Sequence, residues 1–257
     1  MKANYHTHTW RCMHAVGTER EYVESAIESG LKILGFSDHT PYPYPKEYIS
    51  GMRMRTDQLE DYVDTILDLK AEYRKDIQIH LGLEVEYYTD YFASLRRLVS
   101  DYPVEYFLLG QHCVGCEIGG EWSGKPTDDP KALRDYCEQT SEAMETGFFT
   151  YFAHPDLIRF TGDQRIYEEE MRKLCRKAKS LHIPLEINLL GICEERHYPD
   201  ERFWKIAGEE DCKVLLGIDA HNPESFKHPD IVRAAEGIVK RNGLKLQETV
   251  EFRKLSK

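Results

Sequence analysis

No apolar run in the 257-residue chain approaches the roughly 20 residues that a membrane-spanning helix requires. Nor does the N-terminus carry an apolar stretch of signal-peptide length, so a cytoplasmic protein with no membrane partner is expected. Positive charge is in deficit. With 34 Lys and Arg against 45 Asp and Glu, the formal net charge is -11, which argues against a broad nucleic-acid-binding surface. A small anionic substrate remains compatible with that charge, because bound divalent ions reverse the local field. Linkers, low-complexity tracts and repeats are missing too, and residues 1–257 are expected to form one domain. The 7 cysteines are scattered and odd in number, as free thiols in a reducing compartment would be. Cys113 and Cys116 make a lone Cys-x-x-Cys pair. It lacks the second pair of a zinc ribbon and the helix start of a redox motif.

What is present is alternation. Short apolar segments at 2–7, 32–37, 77–85, 106–109, 148–153, 184–188 and 213–217 read as buried strands. Between them, apolar residues at helical spacing predict helices near 18–30, 57–73, 91–100, 130–145, 167–181, 200–208 and 229–241. Thr18 with Glu21 three residues on is a capping box, and Gly30 stops that helix. A Pro- and Tyr-rich loop fills 40–55, and a Gly-rich loop at 115–124 carries Trp122. About seven strand–helix units imply parallel strands with crossover helices, in a barrel or a doubly wound sheet.

The ends of the strands decide between them. His6, His8 and His14 crowd the end of the first strand, with His6 and His8 two apart on one strand face. His39, Glu84, His112, His154, Asp219 and His221 follow later strands, so six of the seven strand ends contribute. A barrel gathers all its strand ends at one face, whereas an open sheet gathers only those at its switch point. The pattern therefore favours an α/β, (β/α)7 TIM-like barrel. A lone His beside a strand is usually just a hydrogen-bonded or surface residue, but nine such residues at one mouth are not explained that way. Seven imidazoles and two carboxylates exceed the ligand number of one ion and suit two or three, with a carboxylate bridging a pair.

The motifs His6-Thr-His8, His14, Ser37-Asp38-His39, Gly82-Leu-Glu84, Gly110-Gln-His112, Ala153-His154-Pro155 and Asp219-Ala-His221 resemble those of the polymerase and histidinol phosphatase (PHP) family, most closely its histidinol-phosphate phosphatase branch. Ile218 stands where this family more often has Ser. The resemblance implies a distorted seven-stranded barrel (the PHP fold) with three divalent metal ions, for which zinc, manganese and iron are all chemically suitable. It implies that His6, His8, Glu84 and Asp219 hold one ion. Glu84, as a bridge, with His112 and His154 would hold a second, and His14, His39 and His221 a third. The implied activity is hydrolysis of L-histidinol phosphate, a step of histidine biosynthesis. A metal pair ~3.5–4 Å apart can share a bridging hydroxide as the nucleophile toward phosphorus. Asp219 could orient that hydroxide or manage its proton.

A phosphate monoester also wants a guanidinium fork, and Arg159 is the first candidate, with Arg196 and Arg11 behind it. His197 is the candidate general acid for the leaving oxygen. Arg53 is expected to contact substrate, with Tyr42, Tyr44 and Trp122 walling an aromatic pocket. Glu86 and Asn188 are expected to support ligating imidazoles. His80, His182 and His228 are read as structural or surface residues. Two other readings stay open: a relative acting on nucleotides or nucleic-acid ends, and a metal-binding module without turnover.

Overall fold

The structure, a computed structural model, describes residues 1–255. Its framework follows the alternation. The chain runs β1 (Ala3–Asn4), α1 (Glu19–Glu28), β2 (Ile33–Phe36), α2 (Leu59–Glu72), β3 (Gln78–Val85), α3 (Thr89–Val99) and β4 (Tyr106–Leu109). A hairpin of β5 (Cys113–Val114) and β6 (Glu121–Trp122) interrupts it before α4 (Pro130–Glu145). Then come β7 (Phe149–Phe152), α5 (Gln164–Ser180), β8 (Leu185–Asn188), α6 (Leu189–Cys193), α7 (Glu201–Glu209), β9 (Lys213–Gly217), α8 (Pro229–Arg241) and β10 (Lys245–Leu246). The capping box at α1 is complete, with both the Thr18 and Glu21 side chains engaged.

Eight strands form one sheet in the order β1-β2-β3-β4-β7-β8-β9-β10. Every pairing in it is parallel. The sheet curls until the residues after β1 meet those after β9. Thr7 bridges Ala220 there, with His8 N donating to Ala220 O (2.9 Å) and Ala220 N to His6 O (3.1 Å). The result is the TIM-like curl the strand ends called for, with one strand more than the expected seven. The extra strand, β10, is a two-residue addition beside the start of β9 and is too short to leave a pattern. Three further differences have the same origin in short or polar segments. The Gly-rich loop is the turn and second strand of the β5–β6 hairpin, α6 follows β8 directly, and α5 begins at Gln164 because Asp163 caps it.

The barrel interior is filled from β1, β4, β7 and β9. Tyr106 crosses it, its hydroxyl 2.8 Å from the Tyr5 carbonyl and 3.1 Å from that of Phe36. A Cβ on Gly82 would lie 2.3 Å from that ring, so the interior holds Tyr106 only because β3 offers no side chain there. From below, Phe252 stacks on Tyr106 (4.6 Å) and meets Tyr5 and His80 edge-on. With the lower end plugged by aromatics, the carboxyl ends of the strands form the open face.

Candidate metal centre

The nine sequence-predicted ligands reach that open face from six strand ends. His6 and His8 leave the end of β1, where Asn4 holds the turn through its amide to His6 O and Thr7 Oγ1 (both 2.9 Å). A short 3-10 helix at Trp10–Cys12, capped by Thr9, carries the chain to His14. His39 follows β2 and bridges Glu84 on β3. His112, His154, Asp219 and His221 follow β4, β7 and β9. His154 (φ 32°) and Asp219 (φ 54°) sit in the left-handed region that non-glycine residues rarely occupy. Such strain persists where the surroundings over-determine it, commonly at functional sites.

Glu84 and Asp219 lie at the centre of the imidazoles. Glu84 Oε1 is 2.9 Å from His154 Nε2, 3.5 Å from His6 Nε2 and 3.7 Å from His112 Nε2. Its Oε2 is 3.0 Å from His39 Nδ1 and 3.5 Å from His8 Nε2. Asp219 Oδ1 is 3.0 Å from His8 Nε2 and 3.3 Å from His6 Nε2. Donor atoms of His14, His39 and His221 form a further group within 4.8 Å of one another. A Cβ at Gly110 would fall 2.0 Å from Glu84 Oε1, so glycine there leaves room for the central carboxylate.

Behind the imidazoles stands a second layer of acceptors. His6 turns Nδ1 to Glu186 (3.0 and 3.1 Å), His8 to Asp38 (3.4 Å) and His112 to Glu86 (3.0 Å). His14 and His221 turn theirs to the carbonyls of Cys12 (2.7 Å) and Asp219 (3.0 Å). Fixing Nδ1 this way presents Nε2 to the centre, as a metal-ligating imidazole requires. The fit to cations shows in what stays unsatisfied. Among the described residues, His6 Nε2, His8 Nε2, His39 Nδ1, His221 Nε2 and Asp219 Oδ1 are buried without a hydrogen-bond partner. They approach one another without hydrogen-bond geometry, the arrangement of ligands aimed at a common centre. Buried polar atoms left so cost ~1–3 kcal/mol each, and shared cations would satisfy them together.

The electrostatics fit as well. Burial opposes charge on Glu84, yet His112, His6 and His39 hold its carboxyl well below the usual carboxylate range. Asp219 is likewise held low against burial by His6, His221 and His8. Burial also opposes charge on His8, but Asp219, Asp38 and Glu84 push it up to about 9. Burial prevails at His221, which is lowered to about 3. Two anionic carboxylates ringed by imidazoles form a strong cation cradle.

A cavity of about 380 Å³ opens above this centre, lined on one side by His14, His39, His112, His154, Asp219 and His221. Met52, Trp122, Leu157, Leu190, Glu194, Arg196 and Tyr198 form its rim. Trp122 and Arg196, expected to meet substrate, are among them. Trp122 stacks on His112 (5.6 Å), and Arg196 donates to Tyr198 Oη (2.6 Å) and pairs with Glu194 (2.6 Å). Arg159 is exposed on the segment leading away from His154, and among the described residues it has no ion pair.

Other expected substrate contacts lie elsewhere. Arg11 is buried behind the first motif, its guanidinium held by Glu19 and by Asp61 (2.6 and 3.0 Å). Arg53 is buried between Glu86 and Glu117, and Tyr42 lies under it with its hydroxyl on the Glu86 carbonyl. Neither Arg53 nor Tyr42 lines the cavity. His197, the expected general acid, hydrogen-bonds the Leu157 carbonyl through Nε2 (2.8 Å) and stands outside the lining. In each case acidic or carbonyl partners distant in sequence claim the side chain. Conversely, Glu186 and Asp38 hold the imidazoles of His6 and His8, a role the sequence alone does not single out. The available signal was that Glu186 is two residues before Asn188 and so shares its strand face.

A curled parallel sheet with imidazoles and carboxylates converging at its strand ends places the chain among barrel proteins built to hold several metal ions. Residues 4–189 match the PHP domain family model, and the chain belongs to that family. Asp219 and His221 lie beyond the matched span. A Deinococcus radiodurans protein named "Probable histidinol-phosphatase" is 27% identical over 240 residues, covering 89% of this chain and 90% of that protein. The Lactococcus lactis histidinol-phosphatase is 25% identical, covering 86% of this chain and 84% of its own. The crystal structure of histidinol phosphate phosphatase from Lactococcus lactis, complexed with zinc, L-histidinol and phosphate, superposes with a TM-score of 0.75. It covers 97% of both chains at 21% identity, a likeness of fold.

Proposed function

We propose that the chain is a metal-dependent phosphomonoesterase that hydrolyses L-histidinol phosphate to L-histidinol and phosphate. The observation that carries this is the convergence of nine ligand-type side chains on one face, several of them with a donor atom buried and without a hydrogen-bond partner among the described residues. The choice of substrate is supported by the relatives, which carry that name along most of their length. Residues 1–257 would form one catalytic domain, working in the cytoplasm.

Three divalent ions, of zinc, manganese or iron, would be held by His6, His8, Glu84 and Asp219, by Glu84, His112 and His154, and by His14, His39 and His221. Bound ions of this kind supply a hydroxide at neutral pH and neutralise charge on phosphoryl oxygens. The chain does the rest. Asn188 Nδ2 holds Asp219 Oδ2 (3.1 Å), which leaves Oδ1 facing the centre to orient the attacking oxygen and hold its proton. Arg196 on the rim presents a guanidinium to the ester, and Arg159, on the segment after His154, is a second candidate for that role. Trp122 offers a flat apolar face for a ring.

Steady-state kinetics test the proposal. L-Histidinol phosphate should exceed aryl and sugar phosphates by at least ~10²-fold in kcat/KM. Comparable rates on all of them would reduce the assignment to a general phosphatase. The net charge of -11 supports a small ester over a nucleic acid, and phosphate release from short oligonucleotides at a similar rate would reverse that preference.

A further inference from the structure

We propose that Arg53 is a positioning residue that ties the β5–β6 hairpin, bearing Trp122, to the ligating imidazole of His112. The inference rests on the reading of His112 as a metal ligand and of Trp122 as part of the substrate cavity.

Arg53 lies in the Pro- and Tyr-rich loop that the metal site leaves unexplained, and it is buried. Its guanidinium grips Glu86 in a fork, Nη1 to Oε2 (2.9 Å) and Nη2 to Oε1 (2.8 Å). Glu86 Oε1 also accepts from His112 Nδ1 (3.0 Å), so one oxygen is shared between the arginine and the ring. That contact sets which nitrogen of His112 faces Glu84. The remaining arm of the guanidinium, Nε, donates to Glu117 Oε2 (2.6 Å), and Nη1 also reaches the Thr40 carbonyl (3.1 Å).

Glu117 belongs to the hairpin turn. It enters a socket built by the same loop, accepting from Tyr48 Oη (2.9 Å), Tyr44 Oη (3.3 Å) and Ser50 Oγ. The hairpin itself starts next to His112. Ser123 N donates to His112 O (2.8 Å), and the Trp122 ring stacks on the imidazole at 18°. Ring and backbone of His112 are thus fixed from both ends of one buried chain, Glu117–Arg53–Glu86. A planar fork is needed to join two carboxylates in this way, so lysine cannot replace Arg53.

The experiment uses the zinc-loaded full chain and three variants, with fold checked by circular dichroism. Glu117→Gln weakens only the hairpin arm, leaving a neutral acceptor, and an unneeded donor, where the carboxylate gripped Arg53. It should raise KM for histidinol phosphate by ~10-fold, more than it lowers kcat, with wild-type zinc content. Arg53→Met cuts both arms and should weaken retention of one zinc by ~10–100-fold during dialysis against a competing chelator. His112→Ala should lose that same zinc. A folded Arg53→Met chain that keeps all its zinc overturns the inference. If Arg53→Met does not fold, a wild-type KM in Glu117→Gln overturns it instead. A His112→Ala chain with full zinc content removes the ligand reading beneath it, a distinct failure.

Discussion

Asp219 holds an uncommon backbone conformation so that one carboxylate oxygen meets the imidazoles while the other rests on Asn188. Asparagine tolerates the left-handed region and matches aspartate in shape, so Asp219→Asn removes the charge with little change in strain. We expect kcat to fall by ~10³-fold or more, with the melting temperature falling only as far as the weakened ion lets it. Near-wild-type turnover in metal-replete buffer would show that Asp219 is no ligand. Gly110→Ala probes the same centre without touching a donor. Its Cβ would meet Glu84 Oε1 at 2.0 Å, which must displace the central carboxylate. Metal analysis should find fewer ions per chain, and full occupancy would contradict the placement of Glu84.

Residues at this scale were unevenly legible in the sequence. His6, His8 and Glu84 stand out because polar side chains at strand ends have few bland explanations. Arg11 and Arg53 looked free because the acids that claim them, Glu19, Asp61, Glu86 and Glu117, sit on other elements. Glu186 is hidden for the same reason, since its partner His6, just past β1, is far from it in sequence.

Between elements, the junction of α2, β3 and β4 turns on Glu105. Its carboxylate accepts from Lys70 Nζ (2.8 Å), from the backbone N–H of Leu81 (2.9 Å) and pairs with His80 Nδ1 (3.0 Å). Burial works against its charge, but those donors lower it from 4.5 to about 2. A carboxyl depressed in the fold stabilises it above its unfolded value and loses that contribution as pH falls toward its folded value. Allowing for solvent screening at this partly exposed site, Glu105 therefore adds on the order of 2 kcal/mol at neutral pH, of which more than half is gone by pH 3. Urea unfolding at both pH values should show the wild type losing that much more than Glu105→Gln. Equal losses would mean that the junction is held without the charge. The strand and helix at this junction were readable from periodicity, as was the α1 cap. β10 and α6 were not, because two and five residues are too few to establish a period and depend on neighbours that only the fold supplies.

At the scale of the molecule, the curled sheet spends its stability on holding charge. Seven imidazoles and two carboxylates are brought together at one end, while the opposite end is closed by Phe252, Tyr106 and Tyr5. Unfolded, those nine donors are scattered over more than 200 positions of the chain, so they offer cations no comparable site. Ions that bind only the folded state must stabilise it, by about 4 kcal/mol for a site at 1,000 times its Kd. Removal with a chelator should therefore lower the melting temperature and abolish turnover together, and readdition of a divalent metal should restore both. The two readouts separate the alternatives. Activity that outlasts complete metal removal would end the metallophosphatase reading. Lost activity at an unmoved melting temperature would place the ions elsewhere than in the buried cradle.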